Sequence, residues 1–199
     1  MTLRDRKASS IDAQADLTAL TPEEARGFLA AALTPDPRSG VLQLYGQPCV
    51  IVRPEVIVNI QKQLELTIGG SAKGIMYLAG ERSSREGVSP FRALSGEDVG
   101  ALTLEMAKRM IDASSLLGWG RAEIGTVDPE KERFVLRIAN SPMAIAYGPS
   151  KKPVCHFLAG WAAGMAQVLV GRELLCEEVA CKAQGREFCE FELRPMPAP

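Results

Sequence analysis

The sequence contains a single histidine, His156, among 199 residues, and it carries no excess of charge: 23 Lys and Arg stand against 24 Asp and Glu, a net of −1. So balanced a chain offers no electrostatic footprint for nucleic acid or an anionic membrane. Nucleotide and redox signatures are missing too. There is no Walker-type Gly-x4-Gly-Lys-Ser/Thr loop. Gly118-Trp119-Gly120 has Glu123 where a dinucleotide fingerprint needs its third glycine. There is no Cys-x-x-Cys-His for haem and no iron–sulfur cysteine run. A reductase needs an electron donor, so these absences favour binding over catalysis. Residues 1–16 show no apolar run of the signal-peptide kind, which predicts a cytoplasmic protein. In that compartment the five cysteines are core thiols, metal ligands or nucleophiles, not a disulfide framework.

What is present is globular. Hydrophobic residues make up 46% and charged residues 24%. The length suits one domain that needs no covalent staples. Residues 1–16 are polar and read as a disordered tail, residues 17–194 as the domain, and the Pro-rich residues 195–199 as a second tail.

Thr21-Pro22-Glu23-Glu24 is a capping box, so a short helix should run from there to about Leu33. Residues 34–40, with two prolines, read as a loop. Residues 41–45 and 49–52 predict a hairpin across Gly46-Gln47-Pro48. A helix from Pro54 has Ile57, Ile60, Leu64 and Ile68 on one stripe and stops at Gly69-Gly70. Ser71 is placed to cap a further helix with Ala72, Ile75, Met76 and Ala79 inward. The polar stretch 81–90 reads as a mobile loop or lid. Ser95 then caps a long amphipathic helix that buries Val99, Leu102, Met106, Met110, Ala113 and Leu117 and leaves Glu97, Glu105, Lys108 and Asp112 wet.

Residues 119–127 and 133–140 form a hairpin around Asp128-Pro129-Glu130-Lys131. Residues 154–170 carry no formal charge, but His156, Gln167 and many small residues argue for a buried helix in place of a membrane span. Gly160 and Gly164, with Ala159 and Ala163, give it a face that a neighbour can approach closely. Residues 173–181 and 187–193 form a last hairpin across Gln184-Gly185. Hairpins interleaved with helices define an α+β class.

Metal-type ligands concentrate near the end. Glu178, Cys181 and Cys189 lie on the last hairpin, and Cys155 opens the buried helix before it. Three thiolates and a carboxylate suit tetrahedral zinc. Small buried hydrophobes are the competing reading of these cysteines. A regular strand would point Glu178 and Cys181 to opposite faces, so a shared site requires a bulge or a strand end between them. Lys182 and Arg186 stand where they could offset the cluster's negative charge. Cys49 and Cys176 read as core residues. A Cys155–His156 catalytic pair is disfavoured, because adjacent helical residues do not face each other.

The stretch Pro153-Val154-Cys155-His156-Phe157-Leu158-Ala159-Gly160, then Gly164, Gly171-Arg172, Glu178-x2-Cys181 and Cys189, resembles the 4-vinyl reductase domain family. The clear match spans about residues 152–193, with a weaker one at 70–80. That family includes a bacteriochlorophyll-biosynthesis protein and the sensor domains of phenol- and xylene-responsive activators. The resemblance implies a structural Zn²⁺ on Cys155, Glu178, Cys181 and Cys189. It implies a fold like TRAPP trafficking subunits and haem nitric-oxide-binding domains, a homodimer, and a hydrophobic pocket between helices and sheet.

Met106, Met110, Trp119, Phe134, Leu136, Ile138 and Trp161 are candidate pocket walls, with plain core packing as the alternative for each. The phenol sensors hold the phenol hydroxyl with a His and a Trp. Around the expected strand this chain offers Ile138 and Asn140, so phenol itself is not the expected ligand. With no ATPase or DNA-binding segment visible, the chain reads as a stand-alone, non-catalytic binding domain. A tetrapyrrole carrier or accessory factor is the leading expectation. A sensor for aromatic or lipid-like effectors, a reductase component fed by a partner, and a TRAPP-like scaffold are the alternatives.

Overall fold

The structure is a computed structural model. It describes residues 19–95, 104–128, 133–170 and 173–196, and side chains over the same ranges apart from 88–95, 104–107 and 169–170. By its contacts the chain divides into two compact units, Met1–Ile51 and Val52–Pro199.

The first unit opens with α1 (Pro22–Ala32), capped as the sequence predicts: the Glu24 amide donates to Thr21 Oγ1 and the Thr21 amide to Glu24 Oε2. Three short antiparallel strands follow, β1 (Leu33–Asp36), β2 (Val41–Leu44) and β3 (Gln47–Cys49), in that order across the sheet. The expected loop at 34–40 therefore contains a strand. Pro35 is tolerated because β1 is an edge strand and one of its sides needs no donor. The hairpin turn falls at Tyr45-Gly46, both at positive φ, one position earlier than the Gly46-Gln47-Pro48 reading.

The second unit contains α2 (Pro54–Ile68), a 3-10 turn (Gly69–Ser71), α3 (Ala72–Ser95), α4 (Leu104–Leu116), α5 (Pro142–Tyr147) and α6 (His156–Val170). Its four strands are β4 (Arg121–Asp128), β5 (Arg133–Ala139), β6 (Leu174–Ala180) and β7 (Phe188–Pro195). They pair antiparallel in the order β4-β5-β7-β6. The class is α+β. Leu136, Ile138, Phe191 and Leu193 from the sheet form one buried cluster with Leu158, Ala162 and Met165 of α6.

The small-residue face of α6 is real, and α3 lies on it. A Cβ built on Gly160 would stand 1.8 Å from the Tyr77 carbonyl oxygen, one on Gly80 2.0 Å from that of Phe157, and one on Gly164 2.2 Å from Ser84 Oγ. Only glycine lets two backbones come so near. Ala72, Met76, Gly80 and Ser84, four residues apart, are the buried stripe of α3.

Several expectations are corrected here. The polar stretch 81–90 is not a loop or lid but the continuation of α3. Small Ser84 at the seam, not an apolar residue, carries the packing. Ile75 and Ala79 face outward, where Met76 and Gly80 are buried. On α2, Ile60 and Ile68 are exposed, and the buried positions are Val58 and Gln61. Gln61 can be buried because its amide donates to the Val154 carbonyl (3.0 Å) and to Glu65 Oε1 (2.8 Å). Asp112 on α4 is buried, not wet, alongside Met110, Ile111 and Ala113. The cap assigned to Ser95 and the residues Glu97, Val99 and Leu102 involve positions outside the described residues. So do the side chains of Glu105 and Met106, and the tip of the β4–β5 hairpin. Helix α5, capped by the buried Ser141, was not anticipated. No described helix is long and apolar enough to cross a membrane.

Candidate metal centre

Strand β6 begins with alternating burial: Leu174, Cys176 and Glu178 point inward. Its register against β7 then slips. Glu178 pairs with Phe191 but Ala180 with Glu190, so Val179 is an extra residue in the ladder. This is the bulge the spacing demanded. Past it the phase is inverted, and Cys181 faces the side that Glu178 faces. The turn after Cys181 closes through a 3-10 segment and Gly185 at φ 83, returning the chain so that Cys189 lies inward next to Phe191. Cys155 arrives from the residue before α6.

These four side chains, from three separate segments, meet. Their ligand atoms lie within 4.8 Å of one another and all four residues are buried. The sulfur separations are 3.7 Å for Cys155–Cys189, 3.8 Å for Cys181–Cys189 and 4.0 Å for Cys155–Cys181. These are too long for disulfides, and the cysteines are free. They match a tetrahedron around one ion, whose edge is about 3.8 Å for a metal–sulfur bond of about 2.3 Å.

The electrostatics point the same way. Burial, reinforced by Cys181, pushes the Glu178 carboxyl up to about 8. Hydrogen bonds from Cys155 and Cys189 hold the Cys181 thiol down at about 2. Cys155, as donor to Cys181, is pushed well above the ordinary thiol range. At Cys189 the bond with Cys155 lowers and the bond with Cys181 raises, and with burial added the thiol rises to about 12. The four groups cannot all carry charge together in this buried setting, because several adjacent negative charges cannot be buried without a cation. A divalent ion would replace the protons held there.

Two further observations test the fit. Glu178 Oε1 is buried and has no hydrogen-bond partner, whereas Oε2 accepts from the Cys155 amide at 2.7 Å. An orphaned carboxylate oxygen among three sulfurs is what a ligand awaiting a metal looks like. The Lys182 amide also donates to Cys189 Sγ at 3.3 Å. Backbone N–H groups at Lys182 and Val154 therefore offset part of the sulfur charge. The cluster could hold a metal ion.

The other predicted residues lie elsewhere. Met110, Leu136 and Ile138 are buried in the core cluster, and Trp119, Phe134 and Trp161 pack half-buried against it. The Trp119 ring stacks on Phe157 with centroids 5.9 Å apart. Cys176 is buried on β6 as expected, and Cys49 is half-buried in the first unit.

Sequence reasoning missed a cleft of about 580 Å³ beside the cluster. It is lined by the end of α2, the start of α3, the segment between α5 and α6, and β6. The adjacent lysines Lys151 and Lys152 were its one visible signal.

Residues 134–195 match the V4R domain family. Among curated proteins the chain is 34% identical over 50 residues to the phenol regulator MopR of Acinetobacter guillouiae, covering 25% of this chain and 9% of that one. It is 33% identical over 75 residues to an uncharacterized protein of Methanocaldococcus jannaschii, covering 38% and 44%. It spans less than half the length of either. Among solved structures, the phenol-responsive sensory domain of the transcription activator PoxR, determined with phenol, superposes with a TM-score of 0.72. The identity is 20%, and the match covers 89% of this chain and 91% of that one. A trafficking protein particle complex subunit 3 from Naegleria fowleri, covalently bound to palmitic acid, matches at 0.53 and 13% identity, over 71% and 93%. The sensory-domain and trafficking-subunit likenesses establish a shared fold, and the segment similar to the V4R domain holds all four clustered ligands.

Proposed function

We propose that the chain is a small-molecule-binding domain of the sensor type, with a structural zinc on Cys155, Glu178, Cys181 and Cys189. The zinc reading is carried by the tetrahedral sulfur spacing together with the orphaned Glu178 oxygen. All four positions are protein ligands, which leaves none for a substrate, so the ion would pin the β6–β7 hairpin to the start of α6. It would add folding free energy and no chemistry.

Of the readings open at the sequence level, the effector sensor is better supported than the tetrapyrrole carrier, because the fold match is to a phenol-responsive sensory domain. The candidate wall is the group around Met110, Trp119, Phe134 and Trp161. The sole histidine, His156, lines the separate cleft, so an effector on that wall would be apolar and not gripped through a hydroxyl by histidine. A thermal-shift screen tests this. Small alkyl-aromatics should raise the melting midpoint by linkage, and more than phenol does. If only Mg-porphyrins shift it, the carrier reading replaces the sensor.

A cytoplasmic homodimer completes the proposal. It is supported by exposed apolar residues on α2 and α3, Val56, Ile60, Ile68, Ile75 and Leu78. Sizing chromatography should give twice the monomer mass, and Ile60→Glu should halve it.

A further inference from the structure

The cleft beside the metal centre is distinct from the apolar wall assigned to an effector. Among its lining residues are three lysines, Lys73 at the start of α3 and Lys151 and Lys152 before α6, and three carboxylates, Glu65, Glu177 and Glu178. The carboxylates are all engaged. Glu65 accepts from Tyr147 Oη at 2.7 Å and from Gln61 Nε2 at 2.8 Å. Glu177 pairs with Arg194 at 3.3 Å. Glu178 is turned into the cysteine cluster.

The lysines are not engaged. Among the described residues none of the three ammonium groups has a carboxylate within ion-pair distance. Tyr77 adds a donor. Its Oη accepts from the Cys176 amide at 3.0 Å, which leaves its own proton with no acceptor among the described residues. The Tyr77 and Tyr147 rings, Pro153, Val154 and Ala159 supply apolar wall. A cavity of this volume, largely apolar with a few convergent donors, has the proportions of a small-ligand site.

We propose that this cleft binds a small organic oxyanion, a carboxylate or phosphate ester on a compact apolar body. Its charged head lies against Lys73, Lys151, Lys152 and Tyr77 Oη, and its body lies against the two tyrosine rings. The uncompensated cations select charge, and the ring-lined wall selects a flat or short apolar group. Inorganic phosphate alone uses only the first of these and binds more weakly.

Calorimetric titration of the full chain with benzoate, phenyl phosphate, inorganic phosphate and neutral benzyl alcohol tests this. At least one aromatic anion should bind, and benzyl alcohol should bind about tenfold or more weakly, the scale of a lost charge-assisted contact. The double variant Lys73→Gln/Lys152→Gln should weaken the anion by about tenfold or more and flatten its salt dependence. These lysines are exposed, so folding should be unaffected, which a thermal melt checks. Lys108→Gln, exposed on α4 and outside the cleft lining, removes charge without touching the site and should bind as the parent does. Tyr77→Phe should lose severalfold. The proposal is overturned if neither aromatic anion binds at millimolar concentration, if benzyl alcohol binds as well as they do, or if the double-lysine variant is unchanged. An unchanged apolar-effector response in the double-lysine variant would show that the two sites fail or stand separately.

Discussion

Helix α6 is held on two sides by opposite means. Against α3 it is held by what is missing: at Gly80, Gly160 and Gly164 no side chain intervenes, and backbone meets backbone. At its start it is held by what is added, three thiols and a carboxylate converging from β6, β7 and the residue before the helix. The glycine seam gains dispersion contacts along its length and tolerates no added volume. On the proposed reading, the ligand corner gains less from packing than from a bound ion. A perturbation of one contact should therefore leave the signature of the other intact.

The largest effect is expected at the ligand corner. Cys181→Ser or Cys189→Ser should abolish the single zinc per chain in elemental analysis and cost more than about 4 kcal/mol, the range reserved for losing a metal. Chelation of the parent protein should reproduce the loss. Cys176→Ser, two residues from Glu178 but outside the cluster, should keep its zinc. A metal-free preparation with undiminished stability would remove the distinction between the two contacts.

Next comes the seam. Gly160→Ala puts a methyl group 1.8 Å from the Tyr77 carbonyl oxygen, and neither backbone can yield as a side chain would. Overpacking of this kind costs about 1–3 kcal/mol. The zinc content should stay at one per chain. Gly74→Ala on the same α3, where a Cβ would meet nothing within 4 Å, should be neutral or slightly stabilising. Equal effects of the two substitutions in urea melts would mean that close approach at Gly160 does not govern the seam.

How much of this was legible follows the same division. The ligand set could be read because cysteines and a carboxylate announce themselves, and because the period of a strand makes the Glu178–Cys181 spacing a demand for a bulge. The small face of α6 could be read from Gly160 and Gly164. Its partner could not. Ala72, Met76, Gly80 and Ser84 are a stripe of mostly small residues that hydropathy does not register, so α3 looked as though it ended near Gly80. On α2 the apolar period pointed to Ile60 and Ile68, yet the buried position is Gln61, whose burial depends on a carbonyl 93 residues away. The cleft was invisible for a related reason. Lysines separated by nearly eighty residues, and the prior engagement of the acids between them, are facts of tertiary structure alone.

The smallest expected effect is the sharpest test of the bulge. Val179 is the unpaired residue in β6 and its side chain is 45% exposed, so deleting it removes almost no core. In the shortened strand Glu178, Ala180 and Cys181 would be consecutive. Glu178 would remain opposite inward-facing Phe191, Ala180 opposite Glu190, and Cys181 would again fall on the inward face, now by simple alternation. If the bulge serves only to set phase, the deletion protein should bind one zinc per chain and lose only about 1 kcal/mol, a typical single-change penalty. Inserting an alanine after Val179 would also restore simple alternation, but it moves Cys181 two positions along the ladder from its place opposite Cys189, and should empty the site. Should the deletion lose its metal as the cysteine variants do, then the added twist of the bulge, not merely its count of residues, is what aims Glu178 at the three sulfurs.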